Sequence, residues 1–310
     1  MALGLGTPPA FMGYVGFVKF GTSLVRATSC DIKLSQEITK PDVVDSRFDR
    51  TVYQLGPQIV EGAVEFPAIY DSGVVGDSTQ DIAETLYRRA VKRNVDGKLD
   101  LININVKYTS ANASFSYPNC LVNNWRFSVT QQDVVTIGVN VIGINRVASS
   151  FVEPTSVPNT RIVTWADAIC NIQNTDGSID ITGSYVRNFN IEIANDAERF
   201  YALNGQLFPQ DIAPRKREVT GSLVFMGRMP GLANWSETNQ DRCTEISTLE
   251  FGYSINNPNC GGGFDVILPN VVFQIEELSL GNDIFETNVN YHCFPAGSLL
   301  NGDPLLDAIQ

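Results

Sequence analysis

The sequence predicts a mainly β protein made of two similar units in tandem, each with a flanking helix that is weak in the second. Three observations predict it. One strand is written twice at a fixed spacing, period-two alternation recurs along most of the 310 residues, and helical periodicity is clear at one place only.

Residues 58–66 and 217–225 are the two copies of that strand. At an offset of 159, Val60 lies over Val219, Gly62 over Gly221, Val64 over Leu223 and Phe66 over Phe225. Small or apolar residues fall on one face, and Glu61, Glu65, Glu218, Thr220 and Ser222 fall on the other. Such alternation is the mark of a strand with one packed and one wet side. A glycine in mid-strand leaves room for a bulge or a close neighbour. Gly62 and Gly221 are therefore expected at a close strand approach, and leucine at either is expected to block assembly while sparing the fold. The same offset lays residues 30–35 over 189–194, with Asp31, Lys33, Asn190 and Glu192 on the polar side. Downstream, Pro118-Asn119 matches Pro269-Asn270 at an offset of 151, and Asp133-Val134-Val135 matches Asp283-Ile284-Phe285. Four matches in one order predict a duplication.

The length suits two domains, and each half can bury a core without metals or staples. The predicted division is an arm over 1–13, a first β domain over 14–145, a linker over 146–160, a second β domain over 161–294, and a tail over 295–310. Hydrophobic residues make up 43% and aromatic residues 10% of the chain, and no apolar run reaches a membrane span. The N-terminus has no basic region followed by an apolar block, so a cytoplasm is the expected compartment. The net charge of −12 is uneven: residues 1–155 hold 14 Lys/Arg against 15 Asp/Glu, and residues 156–310 hold 8 against 19. This acidity opposes binding to nucleic acid through phosphates but permits nucleic acid to pass without sticking.

In chain order, strands are predicted over 14–20, 22–27 and 31–35. A long polar loop or protruding hairpin follows over 39–57, rich in charge at Asp42, Asp45, Arg47, Asp49 and Arg50. Its counterpart over 196–215 carries Arg199 and Arg215. Loops of such length are commonly functional, and contact with a neighbouring subunit is the expected use. After the first copy of the strand and a glycine-rich turn, a helix starts at Asp77 or Ser78, with Ile82, Leu86, Ala90 and Val91 on one side. Arg88, Arg89, Lys92 and Arg93 at its end suit the helix dipole and are read as a cationic last turn, not a nucleic-acid patch. Strands follow over 99–108, 114–117, 121–129 and 134–144. The second unit repeats the strands, with a weak helix over 232–242 and strands over 251–255 and 264–268 around a glycine-rich hairpin tip.

Catalytic signatures are absent from the sequence. The single histidine, His292, adjoins Cys293 in a strand, where successive side chains point apart. Six cysteines form no zinc pattern and are expected as free thiols, with Cys30 and Cys120 as small buried residues. Glu276 and Glu277 are adjacent and thus on opposite faces. The expectation is a non-enzyme with no metal or cofactor.

The run Gly16-Phe17-Val18-Lys19-Phe20-Gly21, then Leu24-Val25-Arg26-Ala27-Thr28-Ser29, then Val60-Glu61-Gly62-Ala63-Val64-Glu65-Phe66-Pro67 resembles tail tube proteins of long-tailed bacteriophages. The resemblance covers most of the chain as architecture. It implies β-sandwich or half-barrel domains related to the type VI secretion tube. Two domains in one chain imply trimeric, pseudo-hexameric rings, stacked into a tube in the virion tail and assembled in a bacterial cytoplasm. Neighbouring inner sheets then join edge to edge, and an acidic lumen conducts DNA without binding it. Asp31, Lys33, Glu61, Glu65, Asn190, Glu192, Glu218 and Thr220 are the lumen candidates. Asp42, Asp45, Arg47, Asp49, Arg50, Arg199 and Arg215 are the candidates for contact between rings. The implied partners are further copies of the chain and the tail's sheath, baseplate and terminator proteins, with no membrane. Two other readings are a tube-like ring at the baseplate or tail terminus and a receptor- or carbohydrate-binding β-sandwich. The scattered Trp125, Trp165 and Trp235 speak against the last.

Overall fold

A computed structural model describes residues 16–25, 27–39, 54–70, 82–94, 96–108, 113–151, 161–174, 180–181, 186–226, 247–255, 262–275 and 286–294. The first half contains β1 (Gly16–Phe20), β2 (Ser23–Val25), β3 (Ser29–Cys30), β4 (Lys33–Thr39), β5 (Gln54–Pro67) and β6 (Ile69–Tyr70). Then come α1 (Ile82–Val91), β7 (Ile102–Tyr108), β8 (Ala113–Thr130), β9 (Thr136–Gly143) and β10 (Val147–Ala148). The second half contains β11 (Arg161–Ile162), β12 (Ala168–Asn174), β13 (Asp180–Ile181), β14 (Val186–Ala194), β15 (Glu198–Phe200) and β16 (Asp211–Ala213). It closes with β17 (Glu218–Met226), β18 (Ser247–Ile255), β19 (Gly262–Ile275) and β20 (Glu286–Cys293). The fold is mainly β, as the alternation predicts, with a large antiparallel sheet.

Strand order is the same in both halves. The first runs β2-β1-β7-β8-β9-β5-β4 and the second β13-β12-β18-β19-β20-β17-β14. The two sheets are not separate, because β14 pairs with the outer side of β8, from Asn188↔Thr130 to Ala194↔Asn124. The 18-residue β8 makes this possible: its first part pairs with β7, and its second part lies between β9 and β14. The sequence predicts two strands here. They are one, because the Pro118-Asn119 break is a bulge in which Asn119 takes a left-handed φ of 54°. Asn270 takes the same φ in β19, beside an equivalent register shift. The ladders reach further across the chain: β11 pairs with β6, and Val147↔Ser116 ties β10 to β8.

Burial follows the alternation. Val60, Val64 and Phe66 are fully buried on β5, and Val219, Leu223 and Phe225 are their buried counterparts on β17. One hydrophobic cluster runs from Val18 to Cys293. At its centre Trp125 and Phe127 of β8 meet Tyr87 of α1 and Phe189, Phe251 and Phe264 of the second half, at ring separations of 5.2–6.3 Å. Buried rings of this size contribute roughly 1.5–3 kcal/mol each, so the contact between halves is core rather than surface.

The helix buries Ala83, Leu86, Tyr87, Ala90 and Val91 against β8 and reaches β14. The buried stripe is thus rotated slightly from the predicted one, and Ile82 is only partly buried. Its end is held by the other half: buried Asn195 donates to the carbonyls of Ala90 (2.9 Å) and Val122 (3.2 Å), and Arg217 donates to Val91 O at 3.0 Å. Carbonyls of a last helical turn lack partners within the helix, and these donors supply them. The predicted cap residues Asp77 and Ser78, the weak helix over 232–242, the arm and the tail lie outside the described residues.

Candidate functional site

The polar sides of eight adjacent strands form one face. On β5, Glu61 and Glu65 point away from Val60, Val64 and Phe66, and the ladders carry that side across the chain. One row passes through Glu65, Gly138, Arg126, Glu192, Thr220 and His292. The next holds Ser128, Asn190, Ser222, Asn290 and Gln274. Lys33 stands opposite Glu61, and Glu218 opposite Ala194. Seven of the residues proposed from sequence thus share this face: Lys33, Glu61, Glu65, Asn190, Glu192, Glu218 and Thr220.

Asp31 is placed differently. The strand predicted over 31–35 begins only at Lys33, as β4, because Asp31-Ile32 form a break between it and β3, and the Asp31 carboxylate accepts from the Ala63 N–H. The cause is Gly62. A Cβ there would lie 2.7 Å from Ile32 N and 2.8 Å from Asp31 O, so the kinked segment occupies the space that glycine vacates. At Gly221 an added Cβ would overlap Asn190 O and the Tyr291 hydroxyl. Both close neighbours belong to the chain itself. Leucine at these positions is therefore a lesion of the fold, which corrects the expectation that it would spare folding.

Tyrosines finish both approaches. Tyr117 donates to Ile32 O at 3.0 Å, and Tyr291 donates to Asn190 O at 2.8 Å. Burial raises the pKa of Tyr117, and that of Tyr291 lies well above the ordinary value, so both hydroxyls stay protonated donors.

Charge on the face is locally balanced at the junction of the halves. Arg126 leans over Gly138 towards Glu65, with Nη2 3.5 Å from Oε1, while Asn124 donates to Glu192. These groups border a depression of about 110 Å³ that also includes Ser29 and Asn140. Exposed pairs of this kind contribute roughly 0–1 kcal/mol, so they place side chains more than they stabilise the sheet. Sequence reasoning missed Arg126 and Asn124. The signal was present as the alternation Asn124, Arg126, Ser128 against Trp125, Phe127, Val129, but it lay outside the repeated stretches.

The segment over 196–215 folds as a hairpin of β15 and β16. Arg199 donates to Val60 O (3.1 Å) and pairs with Glu61 at 2.9 Å, and Arg215 pairs with Glu198. Tyr201 donates to Gln58 O at 3.3 Å, and Gln58 N–H donates to Leu207 O at 2.6 Å. The hairpin of the second half is thereby docked on β5 of the first, leaving Phe200, Tyr201 and Leu203 exposed. Asp42, Asp45, Arg47, Asp49 and Arg50 lie outside the described residues.

His292 and Cys293 do alternate faces: Cys293 Sγ is buried and bonds Pro269 O at 3.0 Å, whereas His292 stacks on Phe294. Cys120 and Cys170 are also buried free thiols, pushed up to about 12 by burial. Cys30 is only partly buried, short of the burial expected for it.

A continuous sheet runs through both halves and carries one broad polar face. A family model described as phage tail tube protein matches residues 3–225, and the chain belongs to that family. The matched stretch contains the whole first half and continues through β14 to Phe225 in β17, so the β8–β14 junction lies inside it. No curated protein sequence matches the chain. The protein is a structural component of a phage tail, and no helix among the described residues is long and apolar enough to cross a membrane.

Proposed function

We propose that the chain is the major tail tube subunit, a duplicated domain pair of which three copies close a pseudo-hexameric ring. The observation that carries this is the junction of β8 and β14. It joins two units of like strand order into one sheet, yet each unit's other edge has no partner among the described residues: β4 pairs only with β5, and residues 272–275 of β19 pair only with β20. Such edges invite a further strand. If the internal junction is repeated between copies, eight strands per chain and three chains make a closed barrel of twenty-four strands.

In this ring the polar face lines the lumen, with Asp31 beside it at the kink. Glu61, Glu65, Glu192, Glu218 and Glu286 stand there against Lys33, Arg126 and the Arg187 that pairs with Glu286. An acidic wall repels phosphates and lets DNA slide through during ejection. The hairpin tip with Tyr201 and Leu203 reaches the adjacent ring. Sheath, baseplate and terminator proteins are the partners outside the tube, and assembly takes place in the host cytoplasm.

Negative-stain imaging of the concentrated full chain tests the reading, with native mass spectrometry to count copies. Long hollow tubes built from threes are the expected result. Discrete rings would favour a role at the baseplate or tail terminus, and a monomer with no tendency to associate would overturn both.

A further inference from the structure

We propose that a second copy of the chain docks on an apolar patch of Val272, His292 and Phe294, using the exposed Ile38 and Leu55 at the end of its own β4–β5 pair. The proposal rests on the ring reading above. Its template lies inside the chain. Where β8 enters the polar face of the first half, buried Leu99 and Leu121 lie with half-buried Ile142 and Ile144. Ile212 of β16 and Ala197, just ahead of β15, pack on them as a cover.

Each half owns one such patch and one such cover. Val60↔Gly143 and Val219↔Cys293 align β9 with β20, so Ile142 and Ile144 correspond to His292 and Phe294. Leu121 pairs with Ile142 and Val272 with His292, so Leu121 corresponds to Val272. The covers match as closely. At the offset of 159, Ile38↔Leu55 and Thr39↔Gln54 become Ala197↔Pro214 and Glu198↔Ala213, and the last is a pair of β15 and β16. Both stretches follow the same one-residue shift in register.

Only one patch and one cover are used within the chain. Ile38, Leu55 and Phe294 are 58%, 46% and 62% exposed, and Val272 is half-buried where Leu121 is fully buried. The free cover cannot reach the free patch of its own chain. β4 and β19 are the outer two of eight adjacent strands, roughly 33 Å apart along the sheet. A second copy brings the two together head to tail and leaves one cover and one patch for the next, until a ring closes.

The contact between copies exchanges polar ties for apolar bulk. In the chain, Asn123 at a bulge of β8 holds the cover: its side chain accepts from the Ala197 N–H and its carbonyl from the Asn195 N–H, both at 2.8 Å. The described end of β19 has no such residue, since Val271 to Ile275 pair with β20 one to one. Gln36, the equivalent of Asn195, donates instead to Gly56 O at 3.2 Å. In return Ile38 and Leu55 stand for Ala197 and Pro214, and Phe294, stacked on His292, stands for Ile144. Larger apolar groups on both sides supply by burial what the missing hydrogen bonds do not.

The test uses the full chain. Ile38→Cys protein mixed with Phe294→Cys protein is expected to give a disulfide-linked dimer under mild oxidation, above the background of the wild-type thiols. Ile38→Glu is expected to raise the concentration needed for assembly at least roughly tenfold by sedimentation. Its melting point should not change, because the residue is exposed in the single chain. Wild-type rings without the cross-link, or wild-type assembly by Ile38→Glu, would overturn this contact and leave the ring reading standing. A Phe294→Glu protein that melts lower yet assembles normally would put the patch under the chain's own remaining residues, which overturns it too. Wild-type protein that stays monomeric would overturn the ring reading, and the contact with it.

Discussion

The two halves bring the same strand pair into close approach over an equivalent glycine, but they answer the approach with different backbones and different tyrosines. In the first half the chain kinks at Asp31-Ile32 over Gly62, and Tyr117 of β8 donates to the displaced carbonyl. In the second half β14 runs on unbroken, the Asn190 carbonyl crowds Gly221, and Tyr291 of β20 donates to it. By register, Tyr117 corresponds to Leu268, and Tyr291 to Val141. The two carbonyls are one position apart, since Asn190 corresponds to Asp31, so what the halves share is a hydroxyl on a carbonyl beside the glycine, where a buried acceptor without a donor costs about 1–3 kcal/mol. Which strand supplies it is left free. The helix marks a second contrast: α1 rests on the junction and takes its terminal donors, Asn195 and Arg217, from the other half.

The largest expected effect tests whether the halves are separable at all. Trp125→Ala removes the ring at the centre of the shared aromatic cluster and should cost about 3–5 kcal/mol. Calorimetry should show a single transition moved down as a whole; two transitions, only one of them displaced, would make the halves independent. Next come Gly62→Ala and Gly221→Ala. Each forces a methyl against backbone and should cost about 1–3 kcal/mol or more by denaturant titration. Gly221→Ala should be the worse, because a ring and a carbonyl both stand in the way. Tyr117→Phe and Tyr291→Phe sharpen the comparison: each should cost about 1–2 kcal/mol, and a marked inequality would argue that only one of the two close approaches needs its donor.

The smallest effect belongs to one half alone. Burial beside Glu250 raises the Asp265 carboxyl from 3.8 to about 6. The folded state therefore holds this proton more tightly than the unfolded chain does. Its stabilising contribution is complete below about pH 4 and is lost as pH rises through about 6. Asp265→Asn should raise the melting point above pH 6 by an amount worth about 1 kcal/mol, given the partial solvent exposure, and flatten the slope between pH 4 and 7. The first half has Ser114 at the equivalent place, so Ser114→Ala should leave that slope unchanged.

Much of the fold was legible because it is local. Alternation names the buried side of β5 and β17 from neighbours two residues apart, and the repeated Pro-Asn pair marks two bulges with one and the same backbone angle. The polar residues grouped from the two repeated strands lie on one face for the same reason. The kink at Asp31 was not legible, since its cause is a glycine some thirty residues away across a ladder. Nor was the contact of Arg199 with Val60 and Glu61 legible, since those partners lie 139 and 138 residues distant.

The sequence by itself determined the β class, the doubled order of strands, the helix and the polar side of each strand, because each rests on the pleat or the helical turn. Tertiary structure alone decided that β8 serves both halves, that Arg126 stands opposite Glu192, and that one core runs through the chain. Those are matters of register and edge choice, which the pairing of distant strands fixes and no local pattern encodes.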